Sequence, residues 1–144
     1  MRGGFVHNAI LVGRLDVAFR AAGATTRLEY PIGPGAPRGY VDLLATLGGV
    51  RVACEAELRA DRVAFAVRKA VWLDADYLLL VAPNGRTARA LRARFNRLLA
   101  ETEVAPPPEF ILTLGQALQW VANCFPFLTP RNGTGPETKE RSDR

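Results

Sequence analysis

Apolar and polar positions follow two different periods along this chain, and the changes of period divide it into elements. From Phe5 to Ala22 the apolar residues Val6, Ile10, Gly13 and Val17 recur at helical spacing, with Phe19 and Ala21 close by and Arg14 and Arg20 off the stripe. This predicts an amphipathic helix, ended by Gly23 as a left-handed C-terminal residue. Thr25 to Ile32 carries strand formers, and Pro31 marks an edge strand or a strand end. Gly33 to Gly39, with two prolines and three glycines, cannot continue a ladder and predicts a loop.

The period then becomes two. Tyr40 to Leu47 and Val50 to Leu58 read as strands joined by Gly48-Gly49, a pair that supplies the positive dihedrals of a two-residue hairpin turn. Alternation puts Val52, Cys54, Ala56 and Leu58 on one face and Arg51, Ala53, Glu55 and Glu57 on the other. Asp42, Leu44 and Thr46 share a face of the preceding strand, and a turn centred between the two glycines pairs position 42 with position 55. Helical spacing returns from Arg59 to Leu73, where Val63, Val67, Ala70 and Val71 form the predicted buried stripe and Arg62 and Lys69 lie to one side of it. Tyr77 to Pro83 is a continuous apolar run, the pattern of an interior parallel strand covered on both faces.

A third helix is predicted from Thr87 to Glu103, with Leu91, Phe95, Leu98 and Leu99 inward and Arg86, Arg89, Arg92, Arg94 and Arg97 on its other faces. Those arginines read as a solvated face or as a nucleic-acid footprint. Ala105 to Pro108 is a stiff connector, Glu109 to Leu114 a last strand, and Gln116 to Asn123 a short helix. Positions 1–130 are expected to form one domain, and 131–144 a polar tail with too little apolar surface to order itself.

Composition changes this picture only in places. At 144 residues, 49% hydrophobic and 23% charged, the chain is of ordinary globular make-up and long enough to bury a core. Its net charge of +5 fits either a polyanionic partner or a surplus of solubilising arginines. Cys54 and Cys124 lie in apolar stretches without the spacing of a zinc site, and are expected to be buried reduced thiols of a cytoplasmic protein. No leader-like stretch and no run of about 18 uncharged apolar residues is present, so no membrane span is expected. His7, the one histidine, sits near the start of the first helix.

The candidate chemistry lies in the hairpin, where Asp42, Glu55 and Glu57 interrupt core sequence. One buried unpaired carboxylate is costly, and neighbouring carboxylates repel one another. Either the acids face solvent and pair with Arg51, Arg59 or Arg62, or something neutralises them together. Mg²⁺ or Mn²⁺ suits such an oxygen set, and a cation so held polarises a phosphoryl oxygen and acidifies a bound water. The expected site is therefore a divalent-metal centre for cutting nucleic-acid phosphodiesters. Arg38, Arg59 and Arg62 stand as candidate DNA contacts.

The order of helix, strand, V-D-L-L-A strand, C-E-A-E-L strand and following helix resembles the PD-(D/E)XK nuclease superfamily, with its restriction-endonuclease-like and Holliday-junction-resolvase-like members. The resemblance covers roughly Phe5 to Leu114. It implies an α/β fold with an αβββαβ core, then a further helix, strand and short helix, around a mixed central sheet. It implies Asp42 and Glu55 as metal ligands, with the Ala56 carbonyl beside them, in a DNA endonuclease that works as a homodimer. Two departures stand out. Glu57 replaces the lysine of the (D/E)-x-K motif, and Lys69, on the next helix, is either its migrated substitute or a surface lysine. The first helix also lacks the glutamate that many resolvase-like members carry; His7 occupies that region only approximately, and Glu29 is a possible outer ligand. These departures leave a second expectation open, a catalytically inactive DNA-binding or assembly module.

Overall fold

The computed structural model of the chain describes residues 2–32, 39–103 and 105–131, with side chains from residue 8 onward. Among these residues four α-helices and five strands follow one another as α1 (Arg2–Ala21), β1 (Thr25–Pro31), β2 (Tyr40–Leu47), β3 (Val50–Ala56), α2 (Val63–Trp72), β4 (Tyr77–Ala82), α3 (Gly85–Glu101), β5 (Glu109–Thr113) and α4 (Leu114–Asn123). The strands form one mixed sheet in the order β1-β2-β3-β4-β5. The first three are antiparallel neighbours, and β3, β4 and β5 run parallel. The mixed α/β architecture is the expected one, and β1 is an edge strand.

The glycine pair decides the hairpin. Gly48 and Gly49 have φ of 57° and 84°, which side-chain-bearing residues adopt only at a cost. The tight turn leaves one register, running from Leu47↔Val50 to Leu43↔Cys54, so that Asp42 comes beside Glu55 as the residue arithmetic requires.

The core has two halves, one on each side of the sheet. Val52, Cys54 and Ala56 of β3 and Leu79 and Val81 of β4 pack against Leu11, Leu15 and Phe19 of α1 and Ala117, Trp120 and Val121 of α4. Phe125, past α4, meets Phe19 edge to face at 4.8 Å. On the opposite side Ala53, Leu78, Leu80 and Ala82 meet Val63, Ala66 and Ala70 of α2 and Leu91 and Phe95 of α3. β4 is thus covered on both faces, as its unbroken apolar run predicts.

Several expectations about faces are corrected. The buried stripe of α1 is Leu11-Leu15-Phe19, while Ile10 and Val17 are exposed at 56% and 66%. The helix carries apolar residues around most of its circumference, so spacing alone offers two stripes, and the bulkier side chains take the sheet. Val71 on α2 and Leu99 on α3 are also exposed, and Lys69 is buried in their stead among the α2 positions. The segment after β3 enters α2 through a 3-10 turn, Ala60–Arg62, so the α-helix begins later than Arg59. Cys54 is buried, whereas Cys124 is exposed and free just after α4. Arg38 and the tail beyond Arg131 lie outside the described residues. Among those described, no helix is long and apolar enough to cross a membrane.

Candidate active site

Where β2 begins and β3 ends, the chain opens a cavity of about 420 Å³, lined among others by Asn8, Asp42, Glu55, Glu57, Arg62 and Lys69. Each arrives from a different local cause. Glu55 lies on the sheet face toward α2, as Ala53 does, and the hairpin register brings Asp42 beside it. Glu57 follows the last residue of β3, with its backbone amide still bonded to the Val81 carbonyl at 3.0 Å. Lys69 comes from the inward side of α2.

Burial sets the electrostatics. Glu55 is 5% exposed, and removal from water, with the Asp42 and Glu57 charges nearby, pushes its carboxyl up to about 7 against the pull of Lys69. Asp42 and Glu57 are also held above the usual carboxylate range, chiefly by burial. Each is partly restrained by backbone amides. Asp42 Oδ2 accepts from Ala56 N at 2.9 Å, and Glu57 Oε1 from Leu58 N and Arg59 N at 3.1 and 3.2 Å. Burial thus raises all three carboxyls, and none is a fully exposed surface carboxylate.

Lys69 supplies part of that neutralisation. Its ammonium lies 2.6 Å from Glu55 Oε2, donates to the Tyr40 carbonyl at 3.0 Å and sits 4.5 Å from the centre of the Phe65 ring. The ammonium is thus the close counter-charge of this buried oxygen. Between a surface lysine and a lysine of the site, the packing decides for the site.

The remaining expected residues divide. Arg62 lines the cavity at its rim, with its guanidinium 5.4 Å from the Phe65 ring. Arg59 lines it too, but spends its side chain on Asp61 in the solvent. Arg51 turns away from the acids and donates to the Leu73 carbonyl at 2.6 Å. Glu29 falls opposite Asp42 between the pairs Leu28↔Leu43 and Tyr30↔Val41, with a left-handed backbone (φ 47°) and an exposed side chain. It lies outside the cavity lining, although its charge still adds to the upward push on Asp42. His7 lies on α1, with its side chain outside the described residues.

Asn8 is the residue that sequence reasoning misses. It lines the cavity, and Nδ2 donates to the Ala56 carbonyl at 3.4 Å. Its signal is legible once the correct stripe is known: Asn8, Leu11, Leu15 and Phe19 continue one helical face, and a carboxamide on a buried face asks for partners.

The oxygen set is of the kind a hard divalent cation takes, and at Glu55 Oε2 the Lys69 ammonium stands in the position of counter-charge. With Glu55 turned toward Lys69 and Asp42 toward Ala56 N, no three His, Cys, Asp or Glu side chains among the described residues are grouped to hold a metal ion. A scan against protein-family models finds no family that matches this chain, and a search of curated proteins finds no match either.

Proposed function

We propose that this chain is a divalent-metal-dependent nuclease that hydrolyses DNA phosphodiester bonds at Asp42, Glu55 and Glu57. The observation that carries the proposal is the convergence of these acids and a buried lysine on one cavity, where each acid is pushed toward neutrality and Lys69 meets only one of them. The order α1-β1-β2-β3-α2-β4 is that of the restriction-endonuclease-like core the sequence resembles, which supports the same reading.

In this reading Asp42 and Glu55, with the Ala56 carbonyl, hold Mg²⁺ or Mn²⁺. When bound, the cation supplies Lewis acidity toward a phosphoryl oxygen and an acidified water. Glu57, at the edge of the cavity, takes a proton from the attacking water in place of the usual lysine. Lys69, released from Glu55, offers its ammonium to the charge that develops on the phosphate. Arg62 and Arg59 at the rim, with Arg86, Arg89 and Arg97 exposed on α3, provide cations for the backbone of a nucleic acid. One site of this size acts on one strand, so cutting both strands takes a homodimer.

A second reading, a DNA-binding or assembly module without catalysis, is favoured by one feature: Lys69 already closes on Glu55, as a permanent counter-charge would. Incubation with supercoiled, linear, branched and single-stranded DNA in Mg²⁺ or Mn²⁺ separates the two. Metal-dependent cleavage that disappears in Asp42→Asn and Glu55→Gln supports the nuclease. Metal-independent DNA binding without cutting of any substrate supports the module.

A further inference from the structure

We infer that Asn8 is an oxygen donor of the proposed cation site, the contribution of α1 to a centre otherwise built from the hairpin and α2. The inference rests on the preceding reading in so far as that reading places a divalent cation beside Asp42 and Glu55.

Among the described residues four buried side-chain nitrogen or oxygen atoms lack a hydrogen-bond partner. Two are donors, Arg94 Nε and Trp120 Nε1, neither of which lines this cavity. The other two are acceptors, Asn8 Oδ1 and Glu55 Oε2, and both of their residues line it. Glu55 Oε2 already has the Lys69 ammonium at 2.6 Å, so Asn8 Oδ1 is the acceptor here that an electropositive occupant beside the Ala56 carbonyl would satisfy. A carboxamide oxygen is a hard ligand of the kind divalent cations accept, directly or through one of the waters such ions retain.

The orphan oxygen cannot be removed by turning the side chain over. A flipped carboxamide would set Oδ1 against the Ala56 carbonyl, acceptor against acceptor, and leave the amide group without that partner. The present orientation is also the useful one. Nδ2 holds the Ala56 carbonyl at 3.4 Å, a long bond that a cation approaching that carbonyl readily displaces. A tie between α1 and β3 alone would need only a donor at this position; the buried acceptor is surplus to that role.

The test is Mn²⁺ binding to the full chain at pH 8, measured by titration calorimetry and by the metal-induced rise in melting temperature, without any DNA. In Asn8→Ala the affinity is expected to fall about tenfold, the lower end of the effect of removing a group that supports a metal. In Asn8→Asp, which adds an anionic oxygen in the same volume, the affinity is expected to rise. The opposite signs separate a lost ligand from a damaged fold, and melting without metal confirms that both variants are folded. If the parent binds Mn²⁺ and Asp42→Asn abolishes it, but neither Asn8 variant changes the affinity, the inference is overturned alone and the orphan oxygen belongs to an ordinary water. If the parent binds no Mn²⁺, the cation reading and this inference fall together.

Discussion

Lys69 Nζ and Glu55 Oε2 stand 2.6 Å apart with side chains only 7% and 6% exposed, which makes them a buried ion pair reaching from α2 to the middle of the sheet. Burial of both charges brings little net stability, but removal of one leaves the other uncompensated.

Lys69→Met keeps the volume of the stem and removes the charge. It is expected to destabilise the chain by about 3 kcal/mol, the low end for breaking a buried pair. The double variant Lys69→Met/Glu55→Gln should recover most of that loss. Urea unfolding of the two single variants and the double variant measures the coupling; additive losses would show that the pair is not coupled.

The metal-free chain should lose stability as pH rises from about 5 to about 8. Glu55 titrates near 7 when folded and near 4.5 when unfolded, so between those values the folded state binds the extra proton. Stability then falls with rising pH, by about 1.4 kcal/mol for each unit separating the two values. Asp42 and Glu57 act in the same direction. Melting temperatures across this range are expected to decline in the parent and to flatten in Glu55→Gln. Saturating Mn²⁺, which binds the ionised carboxylates, should oppose the decline.

Asp42 has two separable roles. Its Oδ2 accepts from Ala56 N, so Asp42→Ala strands a buried amide at a cost of about 1–3 kcal/mol. Asp42→Asn retains an acceptor and should stay within about 1 kcal/mol of the parent in the same unfolding assay. Both are expected to lose metal-dependent cleavage. Cleavage that survives in Asp42→Asn would remove this carboxylate from the metal site.

Asp76 ties the end of the described chain to the sheet. It is 1% exposed; Oδ2 accepts from Arg51 N at 2.9 Å, and Oδ1 from Arg131 N at 3.0 Å. Asp76→Ala should cost about 2–6 kcal/mol, since each of the two amides left unsatisfied costs about 1–3 kcal/mol. Asp76→Asn, which can serve one amide, should cost about half as much. Faster hydrogen exchange at Arg51 and Arg131 in the alanine variant locates the effect.

The sequence by itself determined the element order, the interior position of β4 and the meeting of Asp42 with Glu55. These follow from short-range rules: a strand repeats every two residues, and a two-glycine turn with positive φ leaves one register. The identity of the acids was legible for the same reason, since charge in an otherwise apolar strand stands out.

Only the tertiary structure decided which face of α1 is buried and that Lys69 joins the buried face of α2. In α1, Ile10 and Val17 compete with Leu11, Leu15 and Phe19 for the sheet, and periodicity does not rank two stripes on one helix. That choice hid Asn8, which lies on the stripe that packs. In α2, the burial of Lys69 in place of Val71 depends on Glu55 and the Tyr40 carbonyl waiting across the interface. Glu55 is 14 residues away along the chain and Tyr40 is 29, so no local pattern around Lys69 reports them. A charge is buried where its partners are, and long-range packing puts them there.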